Sequence, residues 1–234
     1  MTAPADASIL PCNEGKKFLG TNKDSKGGKA MPFTNTRLID PIHSGSMKEE
    51  IIERFIDKEI RLRDSSTVWL RELQGGNREK LRSFFSMCSP EAIRYRFMGS
   101  IKVLSDSLLD YLADTDGSRH IALIATHQDG ENDRIVAEGR YVGLKEQPDA
   151  ADIAVLVADD MQQRGIATLL IRELNRIAWN HGVTHFRADV LADNRAMISL
   201  LRKIYRPVST TINYGVIHYE LSIGCRENRL LEAA

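Results

Sequence analysis

Cysteine is scarce in this chain: Cys12, Cys88 and Cys225 are the three among 234 residues. They lie far apart and form no C-x-x-C pair, so a disulfide framework is excluded and a reducing, cytoplasmic setting is expected. Surplus charge is missing too. Lys+Arg and Asp+Glu are both 32, for a net charge of zero, which argues against a general nucleic-acid or membrane-surface binder. No apolar run approaches the length of a membrane span, and the N-terminus lacks the basic-then-apolar order of a signal peptide. The six histidines have no metal-ligand spacing, so no metal is expected. Residues 1–46 lack periodic apolar residues and are dominated by Gly, Pro, Ser, Thr and Lys. Such a segment cannot bury enough surface to offset its ordering entropy and reads as a disordered or flexible extension.

What is present begins at Met47. The apolar fraction of 42% supports a core, and the periodic segments place one domain over residues 47–224 with a tail at 225–234. Met47 to Asp57 carries Ile51, Ile52, Phe55 and Ile56 on one helical face. Ile60 to Leu62 and Thr67 to Leu73 read as a hairpin around Asp64-Ser65-Ser66. Asn77 is placed to cap a helix through Met87, Ser89-Pro90 opens a second through Phe97, and Ser105 caps a third, Asp106 to Ala113. Strands follow at His120 to Thr126 and Arg134 to Leu144, with Asp129-Gly130 in the turn between them. The end of the chain reads as a closing hairpin, Arg206 to Asn213 and Val216 to Ile223, around Tyr214-Gly215.

The distinctive stretch runs from Asp152 to Asn194. An apolar strand, Ile153-Ala154-Val155-Leu156-Val157, stops at Asp159-Asp160 and passes through Gln162-Gln163-Arg164-Gly165-Ile166-Ala167 into a helix ending near Asn180. A strand that feeds a helix through a glycine turn leaves backbone N–H groups without partners at the helix start. With the helix dipole they make an anion site. Gly165 has no Cβ, so a phosphate can approach the backbone closely. Thr184 to Leu191 follows as a strand, parallel to the first under the right-handed crossover rule, and Asn194 opens the last helix.

Gln162-x-x-Gly165-x-Ala167 between that strand and helix resembles the pyrophosphate-binding signature of the GNAT N-acetyltransferases. The wider string Ala158 to Ala167, with Asp189 to Met197 downstream and Ser89-Pro90-Glu91 upstream, is similar to the GNAT domain of bacterial protein-lysine acetyltransferases. The likeness covers roughly residues 60 to 223. It implies an α/β GNAT fold: a mixed, mostly antiparallel sheet of six to seven strands with one splayed parallel pair, flanked by helices. It implies acetyl-CoA as cosubstrate and no metal. Under the resemblance, the N–H groups of Gln163, Arg164, Gly165, Ile166, Ala167 and Thr168 face the pyrophosphate, and Gln162 supports the turn. The Val155 and Val157 backbones pair with the pantetheine arm. An N–H near Leu156 polarises the thioester, and Asn194 contacts the pantetheine unless it serves only as a helix cap.

For the base, the resembled enzymes carry a Glu where this chain has Asp152, one methylene shorter. Glu138 on the neighbouring strand is the second candidate. Asp189 aligns with a family Glu and either aids the acceptor ammonium or finishes its strand. The Tyr that many family members place seven residues after the Asn is Leu201 here, and Tyr205 reads as a packing residue. The expected reaction is direct attack on acetyl-CoA by a protein lysine amine in a ternary complex. A small-molecule amine as acceptor, or a non-catalytic acyl-CoA-binding regulatory module, is the alternative. The sequence leaves the oligomeric state open.

Overall fold

The computed structural model describes residues 58–129 and 132–224. The extension over 1–46, the helix expected at Met47 to Asp57, the turn residue Gly130 and the tail from Cys225 lie outside the described residues. Strands β1 (Lys58–Arg61) and β2 (Thr67–Glu72) are followed by helices α1 (Arg78–Met87), α2 (Pro90–Phe97) and α3 (Asp106–Ala113). Then come β3 (His120–Asp129), β4 (Asn132–Gly143), β5 (Ala150–Val157), α4 (Ile166–Asn180), β6 (His185–Leu191), α5 (Arg195–Ile204), β7 (Pro207–Asn213) and β8 (Val216–Ser222).

These strands form one sheet in the order β1-β2-β3-β4-β5-β6-β8-β7. β5 and β6 are its parallel pair, and the other neighbours are antiparallel. The sheet has eight strands, beyond the six to seven expected, because β1 pairs with β2 from Lys58↔Leu70 to Arg61↔Thr67 and extends the edge.

Alternation along the strands sends side chains to two cores. On one face α4 buries Ile166, Leu170, Ile171, Leu174 and Ala178 against Ala151, Ile153, Phe186 and Ala188. On the other, α1 to α3 bring Leu81, Phe84, Phe85, Ile93 and Leu109 onto Ala122, Ile124, Ile135 and Leu156. Burying a side chain of this size stabilises by about 1.5–3 kcal/mol, which is how short helices of this kind are held. α4 approaches β4 closely at Gly139. A Cβ there would sit 3.2 Å from Leu174 Cδ1, 3.3 Å from Leu170 Cβ and 3.3 Å from Val155 Cγ2.

Local chemistry explains the element ends. Ser89 accepts the Ala92 N–H, Ser105 the Leu108 N–H, and Pro90 occupies the first position of α2. Asn77 departs from expectation. Its side chain accepts the Gln74 N–H at 3.1 Å and closes a short 3-10 turn over Gly75–Asn77, so it makes no side-chain cap on α1. Tyr214 and Gly215 both take positive φ, 47° and 79°, as a two-residue hairpin between β7 and β8 requires.

Candidate active site

β5 and β6 share three register pairs, Ala150↔His185, Ala151↔Phe186 and Asp152↔Arg187, and then part. β5 runs on to Val157 and β6 to Leu191, so a gap opens beyond Asp152. The polarity of its wall follows from two hydrogen bonds. Leu144 N–H donates to the Ala150 carbonyl at 2.9 Å, and Ala158 N–H donates to the Val136 carbonyl at 2.9 Å. Even-numbered residues of β5 therefore bond β4, and the backbone groups of Ile153, Val155 and Val157 face the gap. This corrects the expectation for Leu156. Its N–H belongs to the β4 ladder opposite Glu138, and the edge offered to a ligand is that of Val155 and Val157.

At the outer end of the gap a tied loop leads into α4. Gln162 Nε2 donates to the Val157 carbonyl at 3.2 Å and holds the loop against the strand end. Asp159 accepts the Ser89 N–H at 2.8 Å and the Ser89 hydroxyl at 2.7 Å. Arg164 donates to Asp64 at 2.7 Å and to the Asp160 carbonyl at 2.9 Å. Gln163 and Gly165 take left-handed backbone, φ 62° and 92°. The helix begins at Ile166, because Gly165 is its left-handed N-cap. Leu169 N–H to the Gly165 carbonyl, at 3.1 Å, starts the intrahelical ladder. The N–H groups of Ile166, Ala167 and Thr168 are thus in the unclosed first turn, beside those of Gln163 to Gly165, and form a concavity suited to phosphate. Residues Val155, Val157 and Gln162 to Thr168 come together along one path. Asn194 Oδ1 accepts the Met197 N–H at 3.1 Å, the helix-cap arrangement.

The two candidate bases have opposite surroundings. Asp152 sits where the strands part, its side chain 31% exposed, and accepts from Arg187 Nε at 3.1 Å. Burial raises its carboxyl above the ordinary value, Arg187 offsets part of the rise, and the Asp189 charge adds to it. A carboxylate at a gap with a raised pKa has the properties of a general base. Glu138 does not, and its candidacy is corrected. Its side chain is 0% exposed, paired with Arg140 Nε and with Arg96 Nη2 at 3.4 Å. Burial favours the neutral acid, but the two guanidinium charges outweigh it and hold the carboxyl below its usual range. Glu138 is an ion-pair anchor that holds α2 on β4, closed to an incoming amine.

Two further groups are placed. Tyr205 is buried, and its hydroxyl donates to Asn175 on α4, so it packs between helices as expected. Cys88 is buried, donates to the Phe84 carbonyl, and its thiol is pushed up to about 12 by burial and by Asp159 and Asp160. It stays protonated and is no nucleophile. Sequence reasoning missed His218 on β8. Its Nδ1 lies 2.7 Å from Asp189 Oδ1. The pairing depends on a cross-strand register that spacing along the chain does not reveal.

The mixed sheet, whose one parallel pair parts beside a helix start suited to phosphate, has the architecture of the GNAT fold. The model of the acetyltransferase (GNAT) family matches residues 84–205, and the chain belongs to that family. It is similar to acetyltransferase PA5475 of Pseudomonas aeruginosa, 37% identical over 140 residues that cover 59% of this chain and 74% of that one. It is also similar to acetyltransferase Pat of Mycolicibacterium smegmatis, 30% identical over 164 residues, 70% of this chain. The match spans 48% of the length of Pat. The crystal structure of the GNAT domain of S. lividans PAT superposes with a TM-score of 0.64 at 27% identity, over 71% of this chain and 96% of that one. The chain is therefore an N-acetyltransferase of the acetyl-CoA-using GNAT type.

Proposed function

We propose that the chain transfers the acetyl group of acetyl-CoA to the amine of a protein lysine, by direct attack while both substrates are bound. The observation that carries the protein acceptor is the form of the acceptor side. Beyond Asp152 the face made by Arg187, Asp189, His218 and Glu220 is half-exposed or exposed, and all seven residues of β7 beside it are exposed. A folded surface presenting a lysine can lie on such a face, whereas small ligands favour enclosed, largely apolar pockets.

The geometry supports the following roles. The amides of Gln163 to Thr168 hold the pyrophosphate, and Val155 and Val157 pair with the pantetheine as an added strand would. The Val155 N–H, which faces the gap, donates to the thioester carbonyl oxygen as negative charge develops there. Asp152 takes a proton from the attacking nitrogen. A C–N bond forms at the carbonyl carbon, the C–S bond breaks and sulfur leaves as the thiolate. Positioning of the two reactants supplies up to about 7–11 kcal/mol in ideal cases.

The test is incubation with acetyl-CoA and a purified acyl-CoA synthetase, followed by mass spectrometry of the acceptor. Acetyl groups on lysine Nζ, absent without the chain, support the proposal. Acetylation of free small amines with none on protein lysines contradicts the protein acceptor.

A further inference from the structure

The amine nitrogen must lose two protons. A lysine arrives as an ammonium, so one proton leaves before attack and another as the new C–N bond matures. Asp152 provides for one of them. A carboxylate is a poor acceptor for the first, because a lysine ammonium has an ordinary pKa of about 10.4 and an aspartic acid one of about 3.9.

We propose that His218, oriented by Asp189, is a second catalytic residue, which takes the first proton from the acceptor ammonium at its Nε2. This rests on the acetyl-transfer reading above. Four observations place it. Asp152 and Arg187 are register partners and hydrogen-bonded, so they share one face of the sheet. Asp189 lies two residues beyond Arg187 on β6, on the same face and past the point where the strands part. Asp189 and His218 are register partners across β6 and β8, and their side chains meet at 2.7 Å. Finally, the Asp189 charge reaches the Asp152 carboxyl. A carboxylate partner makes Nδ1 the donor and leaves Nε2 with its lone pair outward. The imidazole is 39% exposed, so the acceptor can reach it.

On this face β6 presents His185, Arg187 and Asp189, β8 presents Glu220 and Ser222 beside His218, β7 presents Ser209 and Thr211, and β5 presents Asp152. From α2, Arg94 reaches Asp193 just past the end of β6 at 2.6 Å. α4 and α5 pack on the opposite face, with Ala188, Val190, Ile217 and Tyr219. Asp189 is a positioning residue, as the carboxylate of a histidine–aspartate pair is.

The step balances. The ammonium gives one proton to His218 Nε2, the neutral amine attacks, and Asp152 accepts the second as the C–S bond breaks. The thiolate takes a proton from solvent, so the net release is one proton per transfer.

The experiment follows CoA thiol release from acetyl-CoA, with a purified acyl-CoA synthetase as acceptor, across pH 6 to 10. Wild type is compared with His218→Gln, with His218→Gln plus added imidazole, and with Asp189→Asn. His218→Gln is expected to lower kcat by about 10²-fold or more while acetyl-CoA affinity stays unchanged. The deficit shrinks as rising pH deprotonates the lysine in solution, and free imidazole restores part of the rate. Asp189→Asn, which favours the wrong tautomer, lowers kcat without imidazole rescue. A His218→Gln enzyme with wild-type kcat and pH profile overturns the proposal. Failure of the acetyl-transfer reading itself shows in the wild-type arm, so the two failures are separate results.

Discussion

Asp152 and Arg187 are hydrogen-bonded at 3.1 Å on the last register pair before the two parallel strands part. The pair marks the vertex of the gap. It fixes the orientation of the carboxylate, and the arginine charge limits how far burial can raise its pKa.

Asp152→Asn is expected to lower kcat by about 10²- to 10⁴-fold, the range for loss of a general base. The KM for acetyl-CoA should hardly change, because the cofactor-facing backbone of Val155 and Val157 is untouched. Steady-state kinetics on both substrates checks the split.

Arg187→Gln removes the charge that offsets burial at Asp152. The carboxyl is then expected to titrate at higher pH, so the acid limb of the rate profile moves toward neutrality. A shift toward lower pH contradicts the assigned sign.

The same raised pKa has a consequence for stability. A carboxyl that binds its proton more tightly folded than unfolded contributes stability at acid pH that is lost as pH rises through its folded value. Asp152→Asn mimics the protonated form, so its Tm should exceed wild type at about pH 7 and match it near pH 3, below the ordinary Asp value. Calorimetric melts at the two pH values measure this.

Glu138→Gln leaves Arg96 and Arg140 buried without their shared counter-charge. Breaking a buried pair in this way costs about 3–5 kcal/mol, read by urea unfolding. Because the Glu138 carboxyl is held low, its stabilisation is present above the ordinary carboxylate range and lost on acidification through its folded value. The variant should therefore lose the corresponding acid sensitivity.

Much of this was legible in the sequence because local chemistry decided it. The helix caps at Ser89 and Ser105, the turn at Tyr214-Gly215 and the parallel crossover from β5 to β6 each follow from adjacent residues or from one handedness rule. The strand–turn–helix order from Val155 to Thr168 was legible for the same reason. What was not legible depends on register. The residues whose N–H groups face the gap, the burial of Glu138 between arginines from α2 and β4, and the meeting of Asp189 with His218 are set by cross-strand pairing. A one-residue change in pairing would reverse each of them. Asn77 shows a local limit. Its side chain had two backbone partners within reach, and the preceding turn took it.

Acetyl-CoA binding by calorimetry on wild type, Gly165→Ala and Gly165→Glu tests the cofactor path most directly. Gly165 has φ 92° and open space where a Cβ would go, so the alanine variant carries the left-handed backbone strain of about 1–2 kcal/mol. The glutamate adds a negative charge beside the amides that face the pyrophosphate. Binding by wild type, weakened binding by the alanine variant and none by the glutamate variant is the predicted result. Equal binding by wild type and Gly165→Glu, or no binding by wild type, would contradict it.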